Sequence, residues 1–337
     1  MKYTKDDLHF LKRRKAPQKK TEESLAGKLC VVSGGTSGVG LSAVKHLAKG
    51  GARLVLVCRD TRKAEQVKAA LNKDGDRFID IVRADFSRLE EVRSAAQTIS
   101  GRYGQIDVLI NSAGLHCTKR RVTMDGNEMV FQVNHIAPFL FTMLLLDSVI
   151  QSGQGRIIQV NSEGHRFGGL NLSDLDWKKR PYIGLRAYGA SKIAQIMTVR
   201  TLADKLNSTN VTINAMHPGG VRTNIGKNNG LLYRAWLRGV VWHFLKDPVI
   251  SGEALYYLAA APELSKTTGR YFFLTGEEKP MQSALNQDIS AQIWQKSLEL
   301  AGLSNEELGI LNKRNNESQQ PDSGGLSAAA KNGGTPA

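Results

Sequence analysis

Short apolar runs alternate along the chain with longer segments in which apolar residues recur every three or four positions. The runs are short enough to be strands buried on both faces, and the segments have the period of helices that pack on a sheet. This alternation predicts an α/β protein with a doubly wound parallel sheet, helices on both faces and right-handed connections. The seven predicted strands are Leu29–Ser33, Arg53–Cys58, Phe78–Ala84, Val108–Asn111, Arg156–Asn161, Val211–Met216 and Tyr271–Leu274.

One uninterrupted alternation covers most of the 337 residues, although a chain of this length could hold two domains. We therefore predict three parts: a basic N-terminal extension of residues 1–24, a single domain of residues 25–303, and a C-terminal tail of residues 304–337. The tail from Asn315 onward has almost no large apolar residues, and we expect it to be disordered. The apolar content of 41% is ample for one large core.

The segment from Ser33 to Gly40 is rich in glycine and lies between the first predicted strand and a helical pattern. Glycines permit positive φ and a close approach of the backbone to a pyrophosphate, and the N-terminus of the following helix offers free N–H groups to the phosphates. A glycine-rich turn alone is more often only a turn. Here the strand before it and the helix after it favour a dinucleotide-binding site.

Tyr188 and Lys192 lie four residues apart in a helical pattern, which places both side chains on the same helix face. We expect the lysine to lower the pKa of the phenol from its usual value of about 10, because a nearby positive charge stabilises the phenolate. Such a tyrosine is a usable acid and base near neutral pH. The Y-x-x-x-K spacing alone is a weak signal, since a solvated helix face can carry it by chance.

Together, the glycine turn and the Y-x-x-x-K pair resemble the short-chain dehydrogenase/reductase family over residues 25–303. Further landmarks of that family follow in order, at Asp85, Asn111-Ser112-Ala113-Gly114, Asn134, Ser162, Pro218-Gly219 and Thr223. Within the family the chain is most similar to the retinol-dehydrogenase-like branch, judged from residues 56–60, 174–182 and 268–272. The resemblance implies a Rossmann-type sheet of strand order 3-2-1-4-5-6-7, with ligands at the carboxyl ends of the strands.

The resemblance also implies the residues of the dinucleotide site. Asp85 is similar to the adenine-contacting aspartate of the family, with an ordinary surface aspartate as the alternative. Pro218, Gly219 and Thr223 resemble the segment that holds the nicotinamide carboxamide. The full set expected to bind the cofactor is Ser33, Gly34, Thr36, Ser37, Gly38, Val39, Gly40, Arg59, Asp85, Phe86, Asn111, Ala113, Gly114, Tyr188, Lys192, Pro218, Gly219 and Thr223.

The activity that the resemblance implies is hydride transfer between a nicotinamide cofactor and a carbonyl or alcohol carbon. Tyr188 would give a proton to the developing alkoxide, and Ser162 would orient and polarise the carbonyl. Lys192 would hold the nicotinamide ribose and keep Tyr188 acidic, and Asn134 would anchor a water for proton relay. As an alternative, Ser162 could merely cap a loop.

Two other functions are compatible with the same fold. One is a catalytically silent protein that senses dinucleotides, and the other is a double-bond reductase on the same scaffold. A silent protein would be expected to have a broken catalytic set, whereas Ser162, Tyr188, Lys192 and Asn134 are all present. The complete set therefore argues strongly against a silent protein. It argues less strongly against a double-bond reductase.

The choice between the two nicotinamide cofactors depends on the end of the second predicted strand, where NAD-binding folds place an acid against the ribose 2′-hydroxyl. Arg59 follows Cys58 directly, and an arginine there can pair with a 2′-phosphate, which a carboxylate would repel. We therefore expect a preference for NADP(H). The alternative is that Asp60, the next residue, binds the ribose of NAD(H).

A broad apolar stripe follows the expected nicotinamide segment, between Gly230 and Lys246. In the family this region covers the substrate, which implies a lipophilic carbonyl or alcohol such as a retinoid, a steroid or a long-chain aldehyde. A core helix or the interface of a homo-oligomer is an equally weighted alternative. The residues expected to form the substrate lid are Leu232, Tyr233, Trp236 and Phe244.

The formal charge of +15 does not by itself indicate nucleic-acid binding, because the basic residues are scattered among acids. The segment Lys2–Lys20 is denser, with eight basic residues, and contact with anionic lipid or a partner is an alternative to a solvated extension. We expect a cytoplasmic protein, either free or peripheral at a membrane, because no leader is visible and the best apolar run, Phe139–Leu146, is too short to span a bilayer.

Cysteine and histidine spacing gives no indication of a metal site. Cys30, Cys58 and Cys117 have no C-x-x-C spacing and are expected to be buried, reduced thiols. We expect no bound metal and ordinary structural roles for the histidines in question, which are His116, His135, His165, His217 and His243.

Overall fold

The computed structural model describes residues 17–220, 247–304 and 307. Within these ranges the residues up to Leu303 belong to one compact unit. Its sheet has the order β3-β2-β1-β4-β5-β6-β7-β8, which confirms the predicted α/β fold and the predicted order of its first seven strands. The strands are β1 Leu29–Ser33, β2 Arg53–Cys58, β3 Ile79–Arg83, β4 Val108–Asn111, β5 Arg156–Val160, β6 Thr212–His217, β7 Tyr271–Phe273 and β8 Gly276–Glu277.

Helices connect the strands and cover the sheet. The fourth helix contains a π-helical segment, Gln132–Ile136, and a 3₁₀ helix at Glu163–Phe167 follows β5. The helices in the described ranges are α1 Gly38–Lys49, α2 Thr61–Leu71, α3 Leu89–Arg102, α4 Met129–Gln151, α5 Gly184–Lys205, α6 Val249–Ala260 and α7 Gln287–Ala301.

The sheet is buried on both faces. Cys30 and Val32 of β1 pack in an apolar cluster with α1 and α6, whereas Leu29 and Val31 are buried on the opposite face. Successive strand residues point to opposite faces, so a strand covered on both sides is apolar along its whole length. This explains why the apolar runs predicted β1, β2 and β4 with their observed bounds. The predicted ends of the other four strands differ from the observed ends by one residue.

An eighth strand was not predicted. β8 pairs antiparallel with β7, so the expectation of seven parallel strands is wrong by this one edge strand. The two strands are joined through Leu274, which has a φ of 53° and was expected to be the last strand residue. Lys19 donates its main-chain N–H to Thr275 Oγ1 at 2.9 Å, so part of the predicted N-terminal extension lies against this turn. A two-residue strand has too few positions to give a hydrophobic pattern.

Helix α4 is long and apolar enough to cross a membrane, by length and composition. The apolar run Phe139–Leu146 therefore belongs to a longer helix than the sequence indicated. In the most apolar window of α4, 89% of the residues are buried inside the protein, and the helix packs against α3 and the sheet. These contacts place α4 in the core of the protein. Cys30, Cys58 and Cys117 are buried and unpaired, as predicted.

Strands β1 to β7 are parallel to their neighbours, so their carboxyl ends meet at one edge of the sheet. In open parallel sheets, this is the edge at which ligands bind. The predicted site residues follow β1, β2, β3, β4, β5 and β6 at this edge, and Tyr188 and Lys192 reach it from α5. The domain boundaries at residues 24 and 303 stay predictions.

Candidate active site

The glycine turn after β1 is closely packed against the turn after β4. Gly34 has a φ of 73°, and a Cβ atom added to it would lie 2.7 Å from the main-chain nitrogen of Ala113. Only glycine fits this position without moving the backbone. Helix α1 begins at Gly38, and the Ser37 side chain makes no capping hydrogen bond to the first turn of the helix. The main-chain N–H groups at this helix N-terminus are suited to bind phosphate oxygens.

Hydrogen bonds hold the ends of β1 and β4 together. Ser112 donates its main-chain N–H to Ser33 O at 3.1 Å, and Ala113 donates to Ser33 Oγ at 3.4 Å. The buried Asn111 side chain donates from Nδ2 to Thr142 Oγ1 at 2.8 Å. These bonds hold the ends of β1 and β4, where the dinucleotide site is predicted, against each other and against helix α4.

The remaining predicted residues of the turns lie as follows. Thr36 is half-buried, whereas Val39 and Gly40 are buried at the start of α1. Phe86 is buried and its ring centroid lies 5.8 Å from that of Phe141, so its ring contributes to the core beneath the turn after β3. A Cβ atom on Gly114 would lie 3.3 Å from Asn134 Oδ1.

Cationic side chains gather beyond the end of β2. Arg59 is exposed, and its guanidinium lies 3.9 Å from the Asp85 carboxylate at the end of β3. The Asp60 carboxylate caps helix α2 by accepting a hydrogen bond from Lys63 N at 3.4 Å. The same carboxylate lies 3.5 Å from Lys63 Nζ and 3.9 Å from Arg62 Nε. Asp60 is thus engaged by its own helix, while Arg59 is directed toward Asp85.

The structure brings Ser162 and Tyr188 together. Ser162 follows β5 and its Oγ accepts a hydrogen bond from Gly164 N at 3.1 Å, so it caps the 3₁₀ helix as the alternative interpretation had it. The same side chain interacts with the Tyr188 phenol and lowers its pKa in part. A Cβ atom on Gly164 would lie 2.5 Å from Cε1 of Tyr188, so a glycine is needed where the loop passes the ring.

The expectation that Lys192 lowers the pKa of Tyr188 is wrong for this state of the protein. Burial raises the pKa of Tyr188 to about 12, and the hydrogen bond with Ser162 opposes this only in part. Burial also lowers the pKa of Lys192 to about 7. Its Nζ lies 5.7 Å from the centroid of the Tyr188 ring and donates to Val160 O at 3.0 Å. Burial disfavours both the phenolate and the ammonium, because each charged form loses its hydration.

Asn134 lies in the π-helical segment of α4 and is fully buried. Its Oδ1 accepts a hydrogen bond from Leu115 N at 2.8 Å, and its Nδ2 donates to Leu115 O at 3.0 Å and to Ser191 Oγ at 3.1 Å. The side chain therefore joins the segment after β4 to helix α5. The expected role of Asn134 as a water anchor stays a prediction. Single π-turns in helices are frequent at functional sites.

Gln195 was not identified from the sequence, yet its side chain forms hydrogen bonds with Lys192, Asn161 and Asn134. Its Oε1 accepts hydrogen bonds from Lys192 Nζ and Asn161 Nδ2, both at 3.0 Å, and its Nε2 donates to Asn134 O at 2.5 Å. Asn161 in turn accepts from Ser162 N at 2.8 Å. The only signal in the sequence was the i, i+3 spacing from Lys192, which places Gln195 on the same helix face.

His165 positions the main chain of Ser162. Its Nδ1 lies 2.9 Å from Ser162 O, and its Nε2 accepts a hydrogen bond from Met281 N at 3.1 Å. Burial lowers the pKa of His165 to about 4, so the ring is neutral at physiological pH and can donate on one side and accept on the other. This agrees with the structural role that was expected for this histidine.

His116 and Cys117 both contact the Tyr188 ring. The His116 ring stands edge-on to the Tyr188 ring at 5.9 Å, and Cys117 packs with Tyr188 and Val130 in a small apolar cluster. Burial lowers the pKa of His116, which makes it a neutral neighbour of the phenol.

The structure describes only the beginning of the predicted nicotinamide and lid segment. Pro218 and Gly219 follow β6, and Ser251 Oγ donates to Pro218 O at 3.0 Å. The other predicted residues of this region lie outside the described ranges, namely Thr223, Leu232, Tyr233, Trp236, Phe244 and the histidine His243.

Comparison with known proteins identifies the family. The family model for short chain dehydrogenase matches residues 28–231. The chain belongs to the short-chain dehydrogenase family. Its similarity to the retinol-dehydrogenase-like branch is confirmed by two relatives: human "Retinol dehydrogenase 13" is 34% identical over 290 residues, covering 84% of this chain and 87% of that protein. Mouse "Retinol dehydrogenase 14" is 35% identical over 291 residues, covering 82% and 86%.

Solved structures show the same fold. A protein from Mycobacterium paratuberculosis superposes with a TM-score of 0.66 at 26% identity and covers 83% of this chain and 95% of its own. A short chain dehydrogenase from Shigella flexneri, complexed with NADP, superposes with a TM-score of 0.60 at 24% identity and covers 75% and 99%. As a member of the short-chain dehydrogenase family, the chain is an NAD(P)-dependent oxidoreductase that transfers hydride. The cradle at Gly34 and the open N-terminus of α1 fit a dinucleotide pyrophosphate.

Proposed function

We propose that this short-chain dehydrogenase is an NADP(H)-preferring oxidoreductase that acts on a lipophilic carbonyl or alcohol, such as a retinoid, a steroid or a long-chain aldehyde. Ser162, Tyr188, Lys192 and Asn134 form its proposed catalytic set, in which Asn134 would anchor a water for proton relay. The observation that carries the proposal is that Ser162 and Tyr188 meet beside Gly164 at the carboxyl edge of the sheet, where a Cβ atom on Gly164 would lie 3.3 Å from Ser162 Oγ and 2.5 Å from Tyr188 Cε1. A carbonyl oxygen that contacts both hydroxyl groups would have a hydrogen-bond donor and a proton donor at one place.

Tyr188 is suited to give a proton to that oxygen. Its raised pKa of about 12 keeps the phenol protonated at neutral pH, which is the form that a general acid needs in carbonyl reduction. Ser162 Oγ would orient the carbonyl, and the nicotinamide, when bound, supplies the hydride. The site is compact because Gly164 lets the loop after β5 pass close to the phenol ring.

The charges beyond β2 support a preference for NADP(H). Arg59, Arg62 and Lys63 place three cations near the end of the strand, and the Asp60 carboxylate is engaged by Lys63 N and by Arg62. A 2′-phosphate would be attracted to these cations, and an arginine can bind it with two hydrogen bonds. Asp60 would have to leave its capping position to bind the ribose of NAD(H), so this alternative is the less favourable one.

Apolar side chains near the proposed catalytic set support a lipophilic substrate. Phe167 of the 3₁₀ helix and both Ile183 and Leu185 at the start of α5 are large and apolar, and each is nearly half exposed. They precede or follow Ser162 and Tyr188 closely in the chain. The names of the curated relatives, which are retinol dehydrogenases, point to the same class of substrate. The lid at Gly230–Lys246 remains part of the proposal on sequence grounds.

The test is to incubate the purified protein with NADPH or NADH and a panel of lipophilic aldehydes and ketones, and to identify the products by mass spectrometry. We expect alcohols, formed faster with NADPH. Products in which a conjugated double bond is reduced and the carbonyl is kept would favour a double-bond reductase. Dinucleotide binding without turnover of any compound would favour the silent sensing protein.

The proposed cellular setting is the cytoplasm, with the basic N-terminal extension of residues 1–24 available for peripheral contact with anionic lipid. A homo-oligomer and a disordered tail of residues 304–337 are likewise proposals from the sequence. The contact with anionic lipid can be tested by sedimentation of the protein with anionic and neutral vesicles, compared with a variant that begins at residue 17.

A further inference from the structure

His217, the last residue of β6, is buried between aromatic rings and acids. Its ring stacks on Phe273 at 4.7 Å and on Tyr271 at 5.6 Å. Its Nε2 lies 3.0 Å from Glu163 Oε2 and 3.4 Å from Glu278 Oε2. The sequence indicated no such cluster, because these residues are far apart in the chain and meet only where the ends of β5, β6 and β8 converge.

In the described part of the chain, one other cation, Arg166, contacts both acids. Arg166 donates to Glu163 and, at 2.8 Å, to Glu278. Among the residues that the structure describes, the other titratable groups that face His217 are Tyr271 and His165. The two carboxylates therefore share a guanidinium and a histidine ring, and this cluster joins the segment after Ser162 to the segment before Pro218. Ligand-type atoms of Glu163, His217 and Glu278 lie within 4.8 Å of one another. Arg166 already balances part of their charge.

The other ring nitrogen of His217 contacts the turn that follows. Gly219 donates its main-chain N–H to His217 Nδ1 at 3.3 Å. An imidazole nitrogen accepts a hydrogen bond only when it carries no proton. The two carboxylates at Nε2 require a proton on that nitrogen, so the contacts together assign the neutral ring protonated at Nε2.

We propose that His217 is a positioning residue whose neutral form holds the Pro218–Gly219 turn in place for the cofactor, and whose protonation at Nδ1 releases that turn. The proposal rests on the proposed function, in which Pro218 and Gly219 belong to the nicotinamide site. A proton on Nδ1 would meet the Gly219 N–H, and two donors facing each other repel. The ring can therefore take up a second proton only if the turn moves.

The charges of the cluster shift the protonation of His217 toward neutral pH. Burial lowers the pKa of His217, but the hydrogen bonds and charges of Glu163 and Glu278 outweigh burial and raise it above its ordinary value. The neutral, turn-holding form prevails above that pKa, and the imidazolium prevails below it. Acidification through the pKa of His217 is thus expected to weaken cofactor binding.

The experiment measures the affinity for NADP⁺ by isothermal titration calorimetry from about pH 5 to about pH 8, the range in which a histidine titrates. For the wild type we expect binding to weaken about three- to tenfold on acidification, the size of one lost hydrogen bond. His217→Asn can place an acceptor near Nδ1 and does not titrate, so its affinity should lack the titration of His217 and keep those of Lys192 and the 2′-phosphate. His217→Gln keeps a donor near Nε2 and lacks that acceptor, so it should bind weakly at every pH.

Identical pH dependence in the wild type and His217→Asn would overturn the proposal, as would wild-type binding that weakens less on acidification than the binding of His217→Asn. If the variants do not fold, ¹⁵N spectra of the wild-type histidine ring decide the matter. We expect the Nε2-protonated neutral ring above the pKa, and the Nδ1-protonated ring would contradict the proposal. Failure of the wild type to bind NADP⁺ at any pH would instead contradict the proposed function.

Discussion

The amide oxygen of Gln195 accepts a hydrogen bond from Lys192 Nζ at 3.0 Å, one helical turn along α5. Its amide nitrogen holds the main-chain oxygen of Asn134 at 2.5 Å, and Asn161 completes the set from the end of β5. Gln195 therefore connects the proposed catalytic lysine to α4 and to the strand that precedes Ser162. This buried network is satisfied at both ends of the Gln195 side chain, which fixes the position of Lys192.

Replacement of Gln195 should change the pH dependence of activity. Burial lowers the pKa of Lys192 to about 7, so the lysine is protonated below that pH and neutral above it. If activity needs the ammonium, kcat/KM falls as the pH rises through this value. In Gln195→Glu a carboxylate beside Nζ should raise the pKa of Lys192 by roughly 1–3 units and move the fall to higher pH. The pH profile of kcat/KM, which reports groups of the free enzyme, measures this.

Gln195→Met is the matched control, because it has similar length and no charge. Its fall in kcat/KM should come at the wild-type pH or below it, since Lys192 loses an acceptor and gains none. Profiles that coincide for Gln195→Glu and Gln195→Met would mean that Gln195 does not set the protonation of Lys192.

Tyr188→Phe should lose most turnover and keep cofactor binding, because it removes the phenolic hydroxyl and preserves the ring that packs against Cys117 and Val130. A general acid or base contributes typically about 10²- to 10⁴-fold to the rate. Steady-state kinetics and a dinucleotide titration measure the two properties. Tyr103→Phe serves as the control, since the Tyr103 hydroxyl donates to the Asp80 carboxylate in β3. Near-normal turnover in Tyr188→Phe would exclude the phenol from the reaction.

Arg59→Asp should reverse or abolish the preference for NADPH, because it replaces a cation that can pair with the 2′-phosphate by an anion that repels it. The ratio of kcat/KM for NADPH to that for NADH is the quantity to compare. Asp60→Asn is the control: asparagine also caps helices well, so α2 should keep its start. A wild type that prefers NADH, together with a loss of that preference in Asp60→Asn, would support the role of Asp60 instead.

The comparison of sequence and structure shows where local patterns are sufficient. β1, β2 and β4 are apolar on both faces, and the glycine turn and the Tyr188–Lys192 pair lie within short segments, so all could be predicted. The contacts of Gln195 and the cluster of His217, Glu163 and Glu278 join residues from different strands and helices, which no local pattern encodes. The pKa of Tyr188 was predicted in the wrong direction because its burial depends on the whole fold.

Trp236→Ala tests the substrate lid that the sequence predicts at Gly230–Lys246. Burying one large apolar side chain against a ligand contributes roughly 1.5–3 kcal/mol. The substitution should therefore raise KM for long-chain or polycyclic carbonyls by about ten- to a hundredfold, with a much smaller effect on short aldehydes and on NADPH affinity. Equal losses for short and long substrates, or a change in oligomeric state alone, would support the alternative of a core or interface helix.

Gly164→Ala should reduce kcat strongly and thermal stability moderately. The added methyl group would lie 2.5 Å from Cε1 of Tyr188 and 3.3 Å from Ser162 Oγ, so the phenol and the loop after β5 must separate. Overpacking of this kind costs typically about 1–3 kcal/mol, and a displacement between proposed reacting groups lowers kcat further, by about 10²-fold for a shift near 1 Å. Thermal unfolding and kcat measure the two effects. Gly101→Ala is the control, because a Cβ atom at Gly101 in α3 meets no atom within 4 Å and alanine favours a helix. A Gly164→Ala protein with normal kcat would show that the Ser162–Tyr188 contact does not determine the rate.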